Sequence, residues 1–304
     1  MTALQAIRAG IVEVSRRKKI VWAWYGLTLL CSIVIVAPMV AAIGAYLNTS
    51  LENPRLFENF DMSFIAEFGW HSQWQQFTMW MPAAALVGAA FVFMTTWLSG
   101  GWLAVLRDPA ESFFAGCARW FPPFVRLALL SSIGYGIAFA VLAVGNAIVR
   151  KIADDSMSAQ PSAYGSMISF VLFCSAFLFV NLVVDYSKVH MVTHGDRVAR
   201  RAVRAAFRFV FANLRTCVTT YLLLTGYGLL MLGVYHGVSE VIGQASMGAV
   251  LMLFVIRQVY MWGRTWVRMV FLASASCYLI SRLPKPPEPE PMPLQESFEF
   301  NESV

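Results

Sequence analysis

"LALLSSIGYGIAFAVLAVGNAIV", from Leu127 to Val149, holds no Asp, Glu, Lys or Arg in 23 residues. At 1.5 Å per residue a helix of that length reaches about 35 Å, enough to cross a hydrocarbon layer of about 30 Å. Its apolar residues run together rather than alternating with polar ones, which excludes a barrel strand. In lipid a helix is then the one element that satisfies its own backbone N–H and C=O groups.

Outward from this block the pattern repeats. Ile20 to Leu47, Trp74 to Leu106, Ser166 to Val184 and Thr216 to Ser239 are also free of charge, and Val241 to Ile256 stays so until Arg257. Six transmembrane helices are predicted, at about residues 20–47, 74–106, 127–149, 166–187, 216–239 and 241–264. The composition agrees: 58% of residues are hydrophobic and 13% charged, against about 25% charged in soluble domains. The first block follows Arg16, Arg17, Lys18 and Lys19, but its 28 residues exceed a signal-peptide core, so it reads as an uncleaved anchor.

Lysines and arginines set the orientation. If the amino-terminal segment lies inside, twenty of them fall on that side, and only Arg55, Arg150 and Lys151 lie opposite, among seven acids. Such an excess predicts that both termini are cytoplasmic.

"RVARRAVRAAFRFVFANLR", Arg197 to Arg215, places six arginines among aromatic and aliphatic residues. On a helical wheel Arg197, Arg201, Arg204 and Arg208 share one stripe, while Val203, Phe207, Val210 and Leu214 form another face about 120° away. Held between two spans, this segment is predicted to lie at the headgroup layer, with its arginines binding anionic lipid. Nucleic acid is not expected, since no free basic domain or stacking platform accompanies the stripe.

The plan of an amphipathic stretch followed by two spans occurs three times. "LQAIRAGIVEVSRRKK" precedes "WYGLTLL", "ESFFAGCARWFPPFVR" precedes "SSIGYGIAF", and the arginine stretch precedes "LLTGYGLLM". The expected fold class is therefore all-α: a polytopic membrane protein of six spans in three hairpins, each hairpin preceded by a cytoplasmic interfacial helix. Residues 1–19 form a basic amphipathic segment and 20–282 the membrane domain. Residues 283–304, "LPKPPEPEPMPLQESFEFNESV", are too rich in proline and acid to pack and predict a disordered cytoplasmic tail. The acidic, aromatic stretch Asn48 to Ser72 reads as an outer interfacial loop. Glycine and tyrosine in Gly134-Tyr135-Gly136, Gly226-Tyr227-Gly228 and Tyr25-Gly26 are expected to serve close helix packing and local hydrogen bonds.

Chemistry-bearing patterns are sparse. His190 and His194 stand at i, i+4, but "HMVTH" lacks the glutamate of HExxH and a third ligand. No GxSxG, no GxxxxGK[ST] and no paired cysteine spacing occurs, so catalysis, cofactors and metals are not expected. Arg257 is placed near the bilayer midplane, where an exposed guanidinium costs several kcal/mol, so it is predicted to face the bundle or a wet cavity, or, if the span starts earlier near Val238, to snorkel to the inner interface. Its structural partners in the bundle would be backbone carbonyls or Asn181, and its functional partner an anionic substrate or headgroup. Arg264 and Arg268 follow on the same face, at the depth of Asp185, and an ion pair between Asp185 and one of them is predicted. The segment after Arg268, "MVFLASASCYLISRL", is expected to lie along the membrane surface.

This layout, with "VVDYSKVHMV" leading into "DRVARRAVRAAFRFVFANLR", resembles bacterial six-helix membrane proteins that include the membrane domain of glycerophosphodiester phosphodiesterases and its stand-alone relatives. The resemblance covers roughly Leu4 to Arg282, and none of the metal-site residues of the soluble phosphodiesterase can be matched. It implies a membrane module of undefined activity in the inner membrane of a bacterium, while the arginine stretch and the tail themselves point to anionic lipids, another membrane protein, or a protein that docks on the proline-rich tail as partners. The competing expectation is a transporter or permease subunit that passes an anionic or lipid-like substrate along Arg257.

Overall fold

The computed structural model describes residues 1–49, 74–155, 160–242 and 247–283. Among them every regular element is an α-helix: α1 (Ala3–Arg16), α2 (Lys18–Thr49), α3 (Trp74–Arg107), α4 (Phe113–Asp155), α5 (Gln160–His194), α6 (Ala199–Ala212), α7 (Leu214–Ile242) and α8 (Met247–Arg282). Four helices are long and apolar enough to cross a membrane over Ala85–Arg107, Phe113–Lys151, Tyr164–His194 and Leu214–Ile242. The protein is thus an all-helical chain built for a membrane. Helix α2 covers the predicted span 20–47, whereas α8 begins at Met247 instead of Val241 and runs past 264 to Arg282. The outer loop within Asn48 to Ser72 and the tail from Pro284 onward lie outside the described residues, apart from the helical Asn48 and Thr49 that end α2.

Local chemistry explains where the short helices begin and end. A capping box opens α1: the Thr2 hydroxyl accepts from the Gln5 N–H at 3.4 Å, and the Gln5 side chain accepts from the Thr2 N–H at 2.9 Å. The chain breaks at Arg17, whose guanidinium donates to the Val105 carbonyl at 2.6 Å and pairs with Glu13 at 2.7 Å. That places the start of α2 beside the end of α3. Gly195, at φ 71°, ends α5 in a left-handed conformation that a side chain would resist. Asn213 then separates α6 from α7, donating its side-chain amide to the Phe209 carbonyl and accepting from the Tyr278 hydroxyl, both at 3.1 Å.

The second amphipathic stretch differs from expectation. Instead of a separate interfacial helix, Phe113 to Arg126 is the first part of α4, continuous with the span through Pro122 and Pro123. Close packing on α3 holds it there: a side chain on Gly101 would meet the Phe113 carbonyl at 2.5 Å, and one on Gly100 would meet Trp120 at 3.0 Å. Gly100-Gly101 is thus a contact point between antiparallel helices.

Burial is concentrated at one end of the bundle, marked by Arg17, Arg107, Lys188 and the end of α8, and here called the basic end. Val14, Val21, Trp24, Leu98, Trp102, Trp120, Phe124, Tyr186, Val189, Val210 and Cys217 form one core with Met269 through Ala273. The segment after Arg268 therefore does not lie on a surface. It continues α8 into the middle of this core because its small residues admit α1: a side chain on Gly10 would meet the Val270 carbonyl at 2.9 Å. Trp102 donates its indole N–H to the Met269 carbonyl at 3.2 Å, tying α3 to the same segment.

Toward the other end the helices separate. Only 11% of the apolar window of α4 and 17% of those of α5 and α7 are buried. Leu129, Ile133, Ile137, Met167, Ile168, Leu229, Leu230 and Val234 are all more than half exposed. An apolar surface of this extent suits lipid and would aggregate in water.

Candidate functional site

Two arrangements of polar residues stand out against this apolar background. The first is the arginine helix α6. Ala202, Ala206 and Val210 are its buried face, and their small side chains let the helix backbone approach the bundle. This corrects the predicted apolar face: Val210 is buried, but Phe207 and Leu214 are exposed and Val203 is half-buried. The reason is size, since alanines at 202 and 206 permit a closer approach than the bulkier flank of the wheel.

Arg201, Arg204 and Arg208 are exposed on the side of α6 opposite the alanines, and Arg197, also exposed, lies just before the helix rather than on the predicted stripe, because α6 starts only after its N-cap Val198. Arg201 has a loose ion pair with Asp196 at 3.7 Å. Among the described residues, Arg197, Arg204 and Arg208 have no polar partner. Beside the stripe, the Phe207 and Phe211 rings lie against each other at a tilt, 4.5 Å between centroids, and both meet Phe179 of α5 edge-on. Exposed phenylalanines level with a membrane-length helix, next to exposed guanidinium groups, match an interfacial position.

The second arrangement is an ionic centre between α5 and α8. Arg268 holds Asp185 with both guanidinium nitrogens, one on each carboxylate oxygen, and Lys188 stands 3.9 Å from the same carboxylate. Of the two predicted partners the structure chooses Arg268; Arg264 is exposed and unpaired among the described residues. The Asp185 side chain is 3% exposed and that of Arg268 41%, so the carboxylate is sealed while the guanidinium borders open space. One turn farther along α5, Asn181 accepts from the Tyr135 hydroxyl at 2.8 Å and donates to the Phe177 carbonyl at 3.2 Å. Tyr25 similarly donates to Gln258 at 2.6 Å, joining α2 to α8.

Arg257 departs from expectation. It is exposed, and among the described residues it has neither carbonyl, carboxylate nor ring to bind. Asn181, its predicted partner, is engaged by Tyr135.

The glycine–tyrosine signature resolves unevenly. Gly134 does pack closely, with Val180 3.1 Å from where a side chain would start, but Gly26, Gly136, Gly226 and Gly228 face open space. Tyr227 is 47% exposed, whereas Tyr25 and Tyr135 bond across helices rather than locally.

The histidine rings stack 4.0 Å apart, with the His194 Nδ1 3.1 Å from the carbonyl of His190, one turn before it in the same helix. Among the described residues no three His, Cys, Asp or Glu side chains converge on a point that could hold a metal. Sequence reasoning missed the carbonyl-capping arginines: Arg107 donates to the Val192 carbonyl at 2.8 Å, closing the end of α5 as Arg17 closes that of α3. Their signal was a basic residue at a helix boundary, which charge counting treats only as topology.

No protein-family model, curated protein or solved structure matches the chain.

Proposed function

We propose that the protein is a non-enzymatic module of the bacterial cytoplasmic membrane, with six spans in three hairpins and both termini inside, that organises anionic lipid or a partner protein. The carrying observation is α6: Arg201, Arg204 and Arg208 exposed along one stripe, with Arg197 exposed just before it, on a helix whose alanine face is fixed to the core. Each arginine near an anionic surface contributes about 1 kcal/mol, so the stripe acts through number rather than through one strong contact. The twenty-to-three division of cations supports the orientation, and the layout-level resemblance to phosphodiesterase membrane domains supports the bacterial setting.

Co-purified lipid tests this. Replacing Arg197, Arg201, Arg204 and Arg208 with Ser should lower the ratio of phosphatidylglycerol to phosphatidylethanolamine retained in detergent; an unchanged ratio would refute the role of α6.

A second reading, a permease for an anionic or lipid-like substrate, draws on the exposure of Arg257. It predicts flux in reconstituted vesicles that falls with Arg257→Ala.

A further inference from the structure

We infer that the wedge between α5 and α8 seats the phosphate headgroup of an anionic phospholipid, gripped by Arg264 and Arg257. The inference rests on the membrane-module reading and adds to it a discrete site away from α6.

The geometry starts at the ion pair. At 100° per residue, Arg257, Arg264 and Arg268 fall within about 40° of one another on α8. Arg268 points at α5, where it meets Asp185, so the other two point toward α5 as well. On α5, Asn181, Leu178, Cys174, Val171 and Met167 lie within about 40° of Asp185 on the same wheel.

On both facing stripes the residues farthest from the pair are exposed. On α5 the stripe runs from sealed Asp185 through half-buried Asn181, Leu178 and Cys174 to Val171 at 53% exposed and Met167 at 66%. On α8 it runs from Arg268 to exposed Arg264 and Arg257, then to Phe254 at 58% and Val250 at 45%. The two helices therefore form a V, closed by Asp185–Arg268 and open at the far end.

The contents of the V decide the occupant. Arg264 and Arg257 sit about 6 Å and about 16 Å from Arg268 along the axis, while the mouth is apolar. Lys188 and Arg268 already outnumber the one carboxylate at the apex, so among the described residues no anion is left for the two free guanidinium groups.

An isolated arginine at such depth costs at least about 2.5 kcal/mol, which favours any ligand that neutralises it. A guanidinium matches phosphate with paired hydrogen bonds. A free anion would leave the walls of Val171, Met167, Phe254 and Val250 without a partner, whereas acyl chains fill them. An anionic phospholipid with its headgroup toward the apex satisfies both features.

The test uses the full chain in detergent with phosphatidylglycerol that carries a photoreactive group in its acyl chain. Adducts are expected on the α8 stretch around Val250 and Phe254 and the α5 stretch around Met167 and Val171, and the serine replacement of Arg197, Arg201, Arg204 and Arg208 should leave them in place. The double variant R257Q/R264Q should weaken phosphatidylglycerol binding by about tenfold or more, and R257K/R264K, which keeps the charge but not the paired geometry, should restore only part of it.

Adducts confined to α6, equal labelling by the phosphatidylcholine analogue, or undiminished affinity in R257Q/R264Q would overturn the site. Displacement of the probe by an equal concentration of inorganic phosphate would reassign it to a water-soluble anion, and crosslinks joining two chains through Phe254 would reassign it to a subunit contact. The labelling pattern of the unsubstituted chain needs no variant to fold. Loss of the α6 effect with the wedge adducts intact would sink the proposed function alone.

Discussion

The two ends of this bundle are built from similar residues and obey different packing rules. At the basic end, aromatic side chains, alanines and glycines interlock, and Trp102, Tyr186, Tyr278 and Phe124 are all less than 2% exposed. At the far end, leucines, isoleucines and phenylalanines of equal hydrophobicity remain open. What separates them is the short helices: α1 and α6 enter the basic end and fill the gaps between the long ones. In a membrane, burial of apolar surface does not by itself drive helices together, so tight packing appears where small residues and polar bonds supply it.

Breaking this contrast should have its largest effect at Asp185. Asp185→Leu strands two cations, Arg268 and Lys188, and should destabilise the fold by about 3–5 kcal/mol, read from unfolding in detergent. Arg268→Leu should cost less, because Lys188 remains 3.9 Å from the carboxylate. An equal loss for the two variants would show that Lys188 does not share the charge.

Gly10→Leu comes next. Its side chain has no room against Ser274 and the Val270 carbonyl, so a cost of about 1–3 kcal/mol is expected. Hydrogen exchange should locate the change: amides of α1 lose protection while those of α4 keep theirs.

The smallest effect sharpens the comparison from the other side. Leu229→Ala and Leu230→Ala, at residues 63% and 64% exposed, should each change stability by no more than about 0.5 kcal/mol. A loss of several times that would mean that the far end is covered by something other than lipid.

The long helices were legible because an uncharged apolar run is a property of the local sequence. So was Asp185 with Arg268, since two opposite charges at matching depth in spans running the same way leave few other choices. The placement of Met269 to Leu279 was not legible: "MVFLASASCYLISRL" is equally suited to a surface and to a core. Only the distant Gly10, more than 250 residues earlier in the chain, decides between them. The exposed Arg257 was misread for a related reason, as its environment depends on how far α5 and α8 diverge. The buried face of α6 was misjudged because hydrophobicity ranks phenylalanine above alanine, while close approach ranks them the other way.

The docking of α1 against the end of α8 also carries a message about biosynthesis. The ribosome releases α1 well before α8, so the groove around Gly10 must wait, unfilled, while the intervening helices are threaded into the bilayer. Completion of the last helix is therefore what latches the first, and a nascent chain arrested ahead of Val270 would keep its leading helix accessible to a protease.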